Sequence, residues 1–110
     1  MSAAKLYGIY TAQFPFLDTS EGKVRPVIVI SSPHGQHGVI AIIPVSSKLK
    51  RENVDVTLND WNDAGLVRPS VARVHRQATM LQSDLLSQLG TLGEGDIRDL
   101  QISIRTFLRI

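Results

Sequence analysis

The sequence predicts a mainly β, α+β fold, in which a small, strongly bent sheet or partly open barrel of about five to seven strands is closed by a C-terminal amphipathic helix. Two observations carry this prediction. Short segments rich in β-branched and aromatic residues follow one another between residues 6 and 74, and such segments favour strands. Near the C-terminus the apolar residues change to a helical spacing, which indicates one helix after the strands.

The first three predicted strands lie before residue 46. Residues 6–16 form the first, and Pro15 should end its regular pairing. Residues 26–31 are a continuous apolar run, which is typical of a strand buried on both faces. A tight turn at residues 33–38 separates this run from a third strand at residues 39–45. Because strands joined by so short a turn run antiparallel, the second and third strands are expected to pair in that way.

The middle of the chain predicts a shorter strand and a helical turn. Val54, Val56 and Leu58 alternate with polar residues, so this strand should have one face in contact with water. Residues 59–65 end in glycine, which commonly closes a helical turn.

The remaining segments complete the predicted order of elements. Residues 70–74 predict a further strand, whereas residues 83–89 are compatible with either a short helix or a strand. Glu94 and Asp96 stand where the terminal helix would begin, a favourable position for negative charge. The apolar stripe of this helix consists of residues at helical spacings: Ile97, Leu100, Ile104, Phe107 and Leu108.

The composition indicates a single domain, residues 1–110, that can bury a modest core, since 43% of its residues are hydrophobic. The absence of cysteine excludes disulfides and thiolate metal sites and fits a reducing cytoplasm. No apolar run has the roughly 18 residues that a membrane span needs, and the N-terminus lacks the apolar stretch of a signal peptide. We therefore expect a soluble cytoplasmic protein. Its net charge of +2 does not by itself indicate a nucleic-acid binder.

Most catalytic and cofactor motifs are absent from the sequence. It has no phosphate-binding glycine loop, no Gly-x-Ser-x-Gly elbow and no helical pair of metal-binding histidines. His34 and His37 lie in a turn without a neighbouring carboxylate, so exposed turn histidines are the favoured interpretation. His75 follows a strand, where a structural and a catalytic histidine are about equally expected. No metal and no cofactor are predicted.

Two polar features interrupt the apolar strands. Arg25 precedes the second strand, and Ser46, Ser47 and Lys48 close the third. Antiparallel pairing would bring Arg25 close to both serines. The planar fork of an arginine beside hydroxyl groups suits a phosphate or another anion. A structural alternative stays open, in which Arg25 caps a strand and the serines begin a turn.

Basic residues form two further clusters. Lys48, Lys50 and Arg51 make up the first, and the second is Arg68, Arg73 and Arg76. The ordinary interpretation of such a cluster is a solvated surface.

Five segments match motifs of a known family, in the same order, over most of the chain. They are Phe14-Pro15-Phe16, the Arg-Pro strand at residues 22–31, the block Ile43-Pro44-Val45-Ser46-Ser47-Lys48, the middle section with Asp60-Trp61, Ala64-Gly65-Leu66 and residues 69–74, and Gly90-Thr91-Leu92 before the terminal helix. On these segments the chain resembles the MazF/PemK family of toxins from bacterial type II toxin–antitoxin systems. The resemblance implies an SH3-like barrel with a C-terminal helix, assembled as a homodimer.

The resemblance also implies an activity and two partners. The activity is that of a metal-independent, sequence-selective endoribonuclease, which cleaves single-stranded RNA such as mRNA and so inhibits translation and growth. The attacking group would be the 2′-hydroxyl of the RNA, so DNA would not be cut. Besides single-stranded RNA, the expected partner is a cognate antitoxin protein that occupies the RNA-binding surface.

Candidate site residues follow from the matched motifs. The central arginine of the family corresponds to Arg25, its Thr/Ser position to Ser46, and His75 stands nearest to an acidic residue that some members use in catalysis. These three are therefore expected to be catalytic. RNA contacts are expected from six neighbouring residues: Lys23, Ser47, Lys48, Lys50, Arg73 and Arg76.

Several positions depart from the family pattern. Tyr7-Gly8 stands where Gly-Asp is common, Gln13 where an acid is common and Ala78 where a basic residue is common, and His75 is the nearest equivalent of the acid that some members use. These departures leave two alternatives open. One is a non-catalytic or degenerate binding module on the same fold, and the other is a gyrase-poisoning toxin, since related folds include such proteins.

Overall fold

The computed structural model describes residues 3–13, 23–48 and 52–110, and within them the chain forms seven strands and one α-helix. The strands are β1 (Gly8–Gln13), β2 (Val24–Val29), β3 (Val39–Ser46), β4 (Val56–Leu58), β5 (Ser70–Ala72), β6 (Ala78–Leu81) and β7 (Leu85–Thr91), and the helix is α1 (Glu94–Leu108). Two short 3-10 turns, Val74–Arg76 and Gln82–Asp84, flank β6. The predicted mainly β class with a C-terminal helix is confirmed.

The strands pair antiparallel throughout these residues, in the order β4-β5-β3-β2-β1-β7, with β6 beside β3. The eight-residue strand β3 is shared between two partners on one edge. Its first half pairs with β6, and its last two residues pair with β5. This division splits the sheet, so that it bends without closing into a full barrel.

Strand β2 is buried on both faces, as its continuous apolar run predicts. Ile28 packs into a core cluster with Ile9 and Leu100, whereas Val27 and Val29 pack into a second cluster on the other face. The side chains of Val27, Ile28 and Val29 are all fully buried. β2 lies between β1 and β3, but its first residues, Val24 to Pro26, pair with β1 alone.

Helix α1 covers the first of these clusters. Leu100 is fully buried in it, and Ile97 and Ile104 pack against it from one turn before and one turn after. The predicted apolar stripe is therefore confirmed up to Ile104. Phe107 and Leu108 continue the stripe but remain exposed. No helix of the described segments is long and apolar enough to cross a bilayer.

The turn after β4 has the geometry that its sequence predicts. Leu66 N donates to Trp61 O and Gly65 N donates to Asn62 O, which is the double bond pattern of a Schellman C-cap. Gly65 has a φ of +92°, a conformation that glycine adopts without a steric penalty. This turn directs the chain toward residues 66–68.

Several predicted bounds of the strands are wrong. The first strand begins at Gly8 instead of residue 6, and residues 14–16 of the prediction lie outside the described residues. The second begins at Val24, so that Arg25 lies within the strand. Residues 73 and 74 are not in a strand, because the chain leaves β5 after Ala72 and enters a 3-10 turn.

The late part of the sheet holds two further differences. Strand β6 is missing from the prediction, because its alternation is only four residues long. The ambiguous segment at residues 83–89 is mostly strand, beginning at Leu85 after a 3-10 turn.

The prediction that one face of the 54–58 segment contacts water is only partly correct. Val56 and Leu58 are buried and Thr57 is exposed, as the alternation requires. Asp55, however, should have been on the wet side and is buried. The strand begins only at Val56, so Asp55 belongs to the preceding turn and does not follow the alternation.

Candidate functional site

A cleft of about 660 Å³ opens where β2 and β3 separate. Their ladder runs from Val29↔Ile42 to Val27↔Pro44 and ends there. Pro26 and Pro44 both line the cleft, and neither has a backbone N–H to donate to a continued ladder. Continuing the register by two residues would place Arg25 opposite Ser46.

The walls of the cleft come from five parts of the chain that meet at this point. These are the start of β2, the end of β3 with the two residues after it, the turn before β4, the segment between β4 and β5, and the 3-10 turn after β5 with the residue before it. Its lining residues are Val24, Arg25, Pro26, Pro44, Val45, Ser46, Ser47, Lys48, Glu52, Leu66, Val67, Arg68, Ser70, Arg73, His75 and Arg76.

Positive charge dominates this lining. Five arginine or lysine side chains meet one carboxylate, that of Glu52, among the lining residues that the structure describes. Three serine hydroxyls lie among them. Closely spaced cations inside a concave wall raise the local positive potential and attract anions.

Arg25 is half-buried in the wall on the β2 side. Its backbone pairs with Ala12 of β1, so the residue is fixed on a central strand and not on a loop. A guanidinium held in this way can form two parallel hydrogen bonds to a phosphate. Arg25 is therefore part of the strand and not a cap before it, and it lines the cleft.

Ser46 faces the same cleft from the end of β3. Its Oγ accepts a hydrogen bond from Lys48 N at 3.1 Å, so the serine does begin a turn, as the structural alternative stated. A serine hydroxyl can accept and donate at the same time. Its O–H is therefore able to donate to an anion in the cleft while its oxygen holds the turn.

Arg73 lines the cleft from its inner side. Its side chain is only 10% exposed, and Nη1 donates to Oδ2 of the buried Asp55. The backbone N of Arg73 donates to Pro44 O at 2.9 Å, which joins this residue to the end of β3. Arg73 is thus buried in the inner wall, whereas Arg76, the residue directly after His75, is exposed.

His75 stands in the 3-10 turn after β5 and lines the cleft. Its side chain is 28% exposed, and its Nδ1 is buried and lies 3.4 Å from Asp55 Oδ1. The imidazole therefore has one nitrogen beside a carboxylate and a partly exposed ring at the cleft.

The structure brings most of the predicted site residues together. Arg25, Ser46 and His75 line the one cleft, and so do four of the expected RNA contacts: Ser47, Lys48, Arg73 and Arg76. Lys23 is exposed but does not line the cleft. Lys50 lies outside the described residues. The functional roles of these residues stay predictions.

The other predicted features lie away from the cleft lining. His34 and His37 are exposed in the turn before β3, as expected. Ala78 pairs with Ile42 in β6 and packs against the second core cluster, so the departure there removes a charge from a position that does not line the cleft. Gln13 is exposed at the end of β1. Among the described residues no group of three or more His, Cys, Asp or Glu side chains could hold a metal ion.

Two residues of the site were not predicted. Arg68 lines the cleft, and its sequence cluster with Arg73 and Arg76 was the signal that could have indicated it. Asp55 lies behind the wall and contacts both Arg73 and His75. The sequence offers no comparable signal for Asp55, because it is 18 residues from Arg73 and 20 from His75.

The bent antiparallel sheet, the basic cleft and the single covering helix place this chain among small, mainly β proteins. Comparison with known protein families identifies which family it belongs to. The family model for PemK-like, MazF-like toxins of type II toxin–antitoxin systems matches residues 5–108. The chain therefore belongs to this toxin family, and the resemblance seen in its motifs is confirmed. The comparison with curated proteins gives no significant match.

Solved structures of similar fold agree with this assignment. MazF from Deinococcus radiodurans superposes with a TM-score of 0.77 at 20% identity, over 100% of both chains. The Mycobacterium tuberculosis toxin MazF-mt6 gives a TM-score of 0.73 at 24% identity, over 94% of this chain and 97% of that one. A mycobacterial endoribonuclease in complex with its cognate antitoxin gives 0.77 at 12% identity, over 97% of each chain. These similarities establish the fold.

Proposed function

We propose that this toxin is a sequence-selective endoribonuclease that cleaves single-stranded RNA without a metal ion, in the cytoplasm, and thereby inhibits translation. The observation that carries the proposal is the cleft, which Arg25 and Ser46 both line among further cations. RNA has a phosphate at every nucleotide, and so provides the anion that such a wall attracts. The mycobacterial structure of the same fold is described as an endoribonuclease, which supports the same activity.

The reaction needs no nucleophile from the protein. The 2′-oxygen of one nucleotide attacks the adjacent phosphorus and loses its proton, while the bond to the 5′-oxygen of the next nucleotide breaks and that oxygen gains a proton. The products are a 2′,3′-cyclic phosphate and a free 5′-hydroxyl. Negative charge accumulates on the equatorial phosphate oxygens in the transition state, so the protein must stabilise charge and move two protons.

Three residues have the positions for these tasks. Arg25 stabilises the charge on the phosphate oxygens through two hydrogen bonds. Ser46 donates its O–H to a phosphate oxygen while its Oγ accepts from Lys48 N. His75 accepts the proton of the 2′-hydroxyl or supplies one to the leaving oxygen.

The outer cations of the cleft bind the flanking phosphates. Lys48, Arg68 and Arg76 are exposed at its wall, where they attract the backbone on either side of the cleaved bond. Val67 is exposed beside Arg68, and an apolar side chain in this place can contact an unstacked base. The residues that contact bases determine which sequence is cut.

A cognate antitoxin and a second copy of the chain complete the proposed system. The antitoxin would cover the basic cleft with an acidic segment, because such a segment competes with RNA for the same cations. Toxins of this fold have been crystallised with their antitoxins, including MazE with MazF from Deinococcus radiodurans.

A homodimer is proposed from family membership. A short acidic protein encoded immediately upstream is the expected antitoxin, and light scattering tests the dimer.

The central experiment incubates the purified protein with several long single-stranded RNAs in EDTA. We expect cleavage at a short recurrent sequence, with 2′,3′-cyclic phosphate ends, and no cleavage of DNA of the same sequence. Arg25→Ala should lower the rate by at least about 100-fold, because one preorganised charge contact typically contributes about 3 kcal/mol to the transition state. Arg98→Ala is the matched control, since Arg98 is exposed on α1 and does not line the cleft.

Two results would contradict the proposal. The first is intact RNA after long incubation of the folded wild-type protein across all substrates. The second is an Arg25→Ala variant as active as the Arg98→Ala control. An effect of the wild type on DNA supercoiling by gyrase, with no RNA cleavage, would favour the gyrase-poisoning alternative.

A further inference from the structure

We propose that Asp55 is a positioning residue of the cleft, whose buried carboxylate holds the guanidinium of Arg73 and the imidazole of His75 in the orientations that RNA cleavage requires. The inference deepens the endoribonuclease activity proposed above and rests on it. Asp55 does not contact the substrate in this proposal. Its effect reaches the reaction through its two neighbours.

The burial of Asp55 explains why it acts indirectly. Its side chain is 0% exposed, whereas those of Arg73 and His75 are 10% and 28% exposed. Both neighbours line the cleft. Exposure thus increases from the carboxylate outward, so RNA in the cleft meets His75 and the edge of Arg73 but cannot reach Asp55.

One oxygen of the carboxylate is held by two donors. Oδ2 accepts from Nη1 of Arg73 and from the backbone N of Glu52, the latter at 3.0 Å. The bond to the backbone fixes the carboxylate relative to the turn before β4. A charged pair inside the protein is far less screened by salt than a surface pair, and the bond to Arg73 restricts the rotation of the guanidinium. The Arg73 backbone N is fixed in turn by Pro44 O.

The other oxygen faces the histidine. Oδ1 lies 3.4 Å from His75 Nδ1, somewhat longer than an ordinary hydrogen bond. Such contacts often shorten when the substrate binds. A carboxylate at Nδ1 favours the tautomer in which Nδ1 carries the proton, which leaves Nε2 unprotonated and able to accept a proton from the 2′-hydroxyl. The same carboxylate stabilises the imidazolium that this transfer creates.

The substitution Asp55→Asn should reverse this tautomer. Asparagine has one carbonyl oxygen and one NH₂ group. The oxygen must face the two donors at Oδ2, Arg73 and Glu52 N, because an NH₂ group there would meet donors only. The NH₂ group then faces His75 and donates to Nδ1. The proton of the neutral ring moves to Nε2, and the histidine loses its acceptor at the cleft.

The first test observes the ring directly. Two-bond ¹H–¹⁵N spectra of the labelled protein, at a pH where the ring of His75 is neutral, distinguish the two tautomers, and a His75→Gln variant assigns the signals. We expect Nδ1 protonated in the wild type and Nε2 protonated in Asp55→Asn. A wild-type ring protonated at Nε2 would overturn the proposal, whether or not the variant folds.

The second test measures single-site cleavage of a short RNA. Asp55→Asn should lower kcat by about 100-fold, the usual consequence of a misplaced catalytic group, with KM changed less than about threefold, because Asp55 touches no RNA. Asp96→Asn is the matched control for lost stability, since Asp96 is also a buried carboxylate but contacts Asn59 and Asp60 instead. A kcat equal to that of Asp96→Asn would contradict the positioning role.

The two tests separate this proposal from the activity on which it rests. A wild-type protein that cuts no RNA but has the expected His75 tautomer would refute the endoribonuclease and leave the arrangement of Asp55 in place. A wild-type protein that cuts RNA, with neither His75 nor kcat affected by Asp55→Asn, would refute the role of Asp55 alone.

Discussion

The carboxylate of Asp96 accepts a hydrogen bond from the backbone N of Asn59, 37 residues earlier in the chain, at 3.0 Å. Its second oxygen accepts from Asp60 N, also at 3.0 Å. Asp96 lies in the first turn of α1, so this single side chain joins the helix to the turn that leads into residues 66–68. Asp96, Asn59 and Asp60 all lie outside the cleft lining, so this contact stabilises the fold on the helix side of the molecule.

Asp96→Ala should lower the free energy of unfolding by about 2–4 kcal/mol, because the substitution removes a buried carboxylate and leaves two partly buried backbone N–H groups without their acceptors. Urea denaturation followed by circular dichroism measures the change. Asp99→Ala is the control on the exposed face of the same helix and should change stability by less than about 0.5 kcal/mol. Equal losses in the two variants would contradict a stabilising role of the two hydrogen bonds of Asp96.

The close approach of β7 to the turn after β4 requires glycine at position 90. A Cβ on Gly90 would lie 2.2 Å from Ala64 O, a backbone atom. Gly90→Ala should therefore destabilise the fold by about 1–3 kcal/mol, since the backbones must separate to admit the methyl group. Thermal unfolding monitored by circular dichroism checks this value.

Gly95→Ala should stabilise the fold, in contrast to Gly90→Ala. In α1 a Cβ at Gly95 meets nothing within 4 Å, and alanine has the higher helix propensity. We expect a stabilisation of about 0.5–1 kcal/mol. Stabilisation by Gly90→Ala, or destabilisation by Gly95→Ala, would contradict the packing described for these two positions.

Leu100 is the residue through which α1 is most deeply buried. It has no exposed surface, and Leu100→Ala should cost about 2–5 kcal/mol through lost burial and the cavity that remains. Phe107→Ala, on the exposed end of the same stripe, should cost less in a monomer, although its side chain is larger. Chemical denaturation at low protein concentration compares the two. A greater loss for Phe107 would indicate that this end of the helix is covered, as by a second copy of the chain.

Arg68 and Arg76 should contribute to RNA affinity through phosphates. Binding of an RNA with a 2′-deoxy substitution at the cut site can be measured without cleavage. Each alanine variant should weaken binding to all sequences and reduce the slope of log K against log salt by about 0.7, the value for one phosphate contact on a single strand. Arg105→Ala is exposed on α1 outside the cleft lining and should leave the slope unchanged. An unchanged slope for Arg68→Ala would place this residue outside the binding surface.

The elements that could be predicted are those specified by neighbouring residues. The buried strand at residues 26–31 and the apolar stripe of α1 are local patterns, and both appear in the structure. The short turn at residues 33–38 required antiparallel pairing of the flanking strands, which brought Arg25 and Ser46 to one cleft. The strand bounds were predicted less accurately, because a strand begins and ends where its pairing with other strands stops, as at Val24 and Ala72, and those partners are distant in the chain.

The sequence by itself determined the antiparallel pair β2–β3, the terminal helix with its apolar stripe and the position of Arg25 and Ser46 at one end of that pair, because each follows from residue spacing within one segment or across one short turn. Only the tertiary structure decided that β5 pairs with the end of β3 and brings Arg73 and His75 beside the serines. It also decided that Asp55 is buried between those two side chains, against the alternation of its own segment. Buried ionisable groups are stable only beside a partner, and which partner is within reach depends on how distant strands pair.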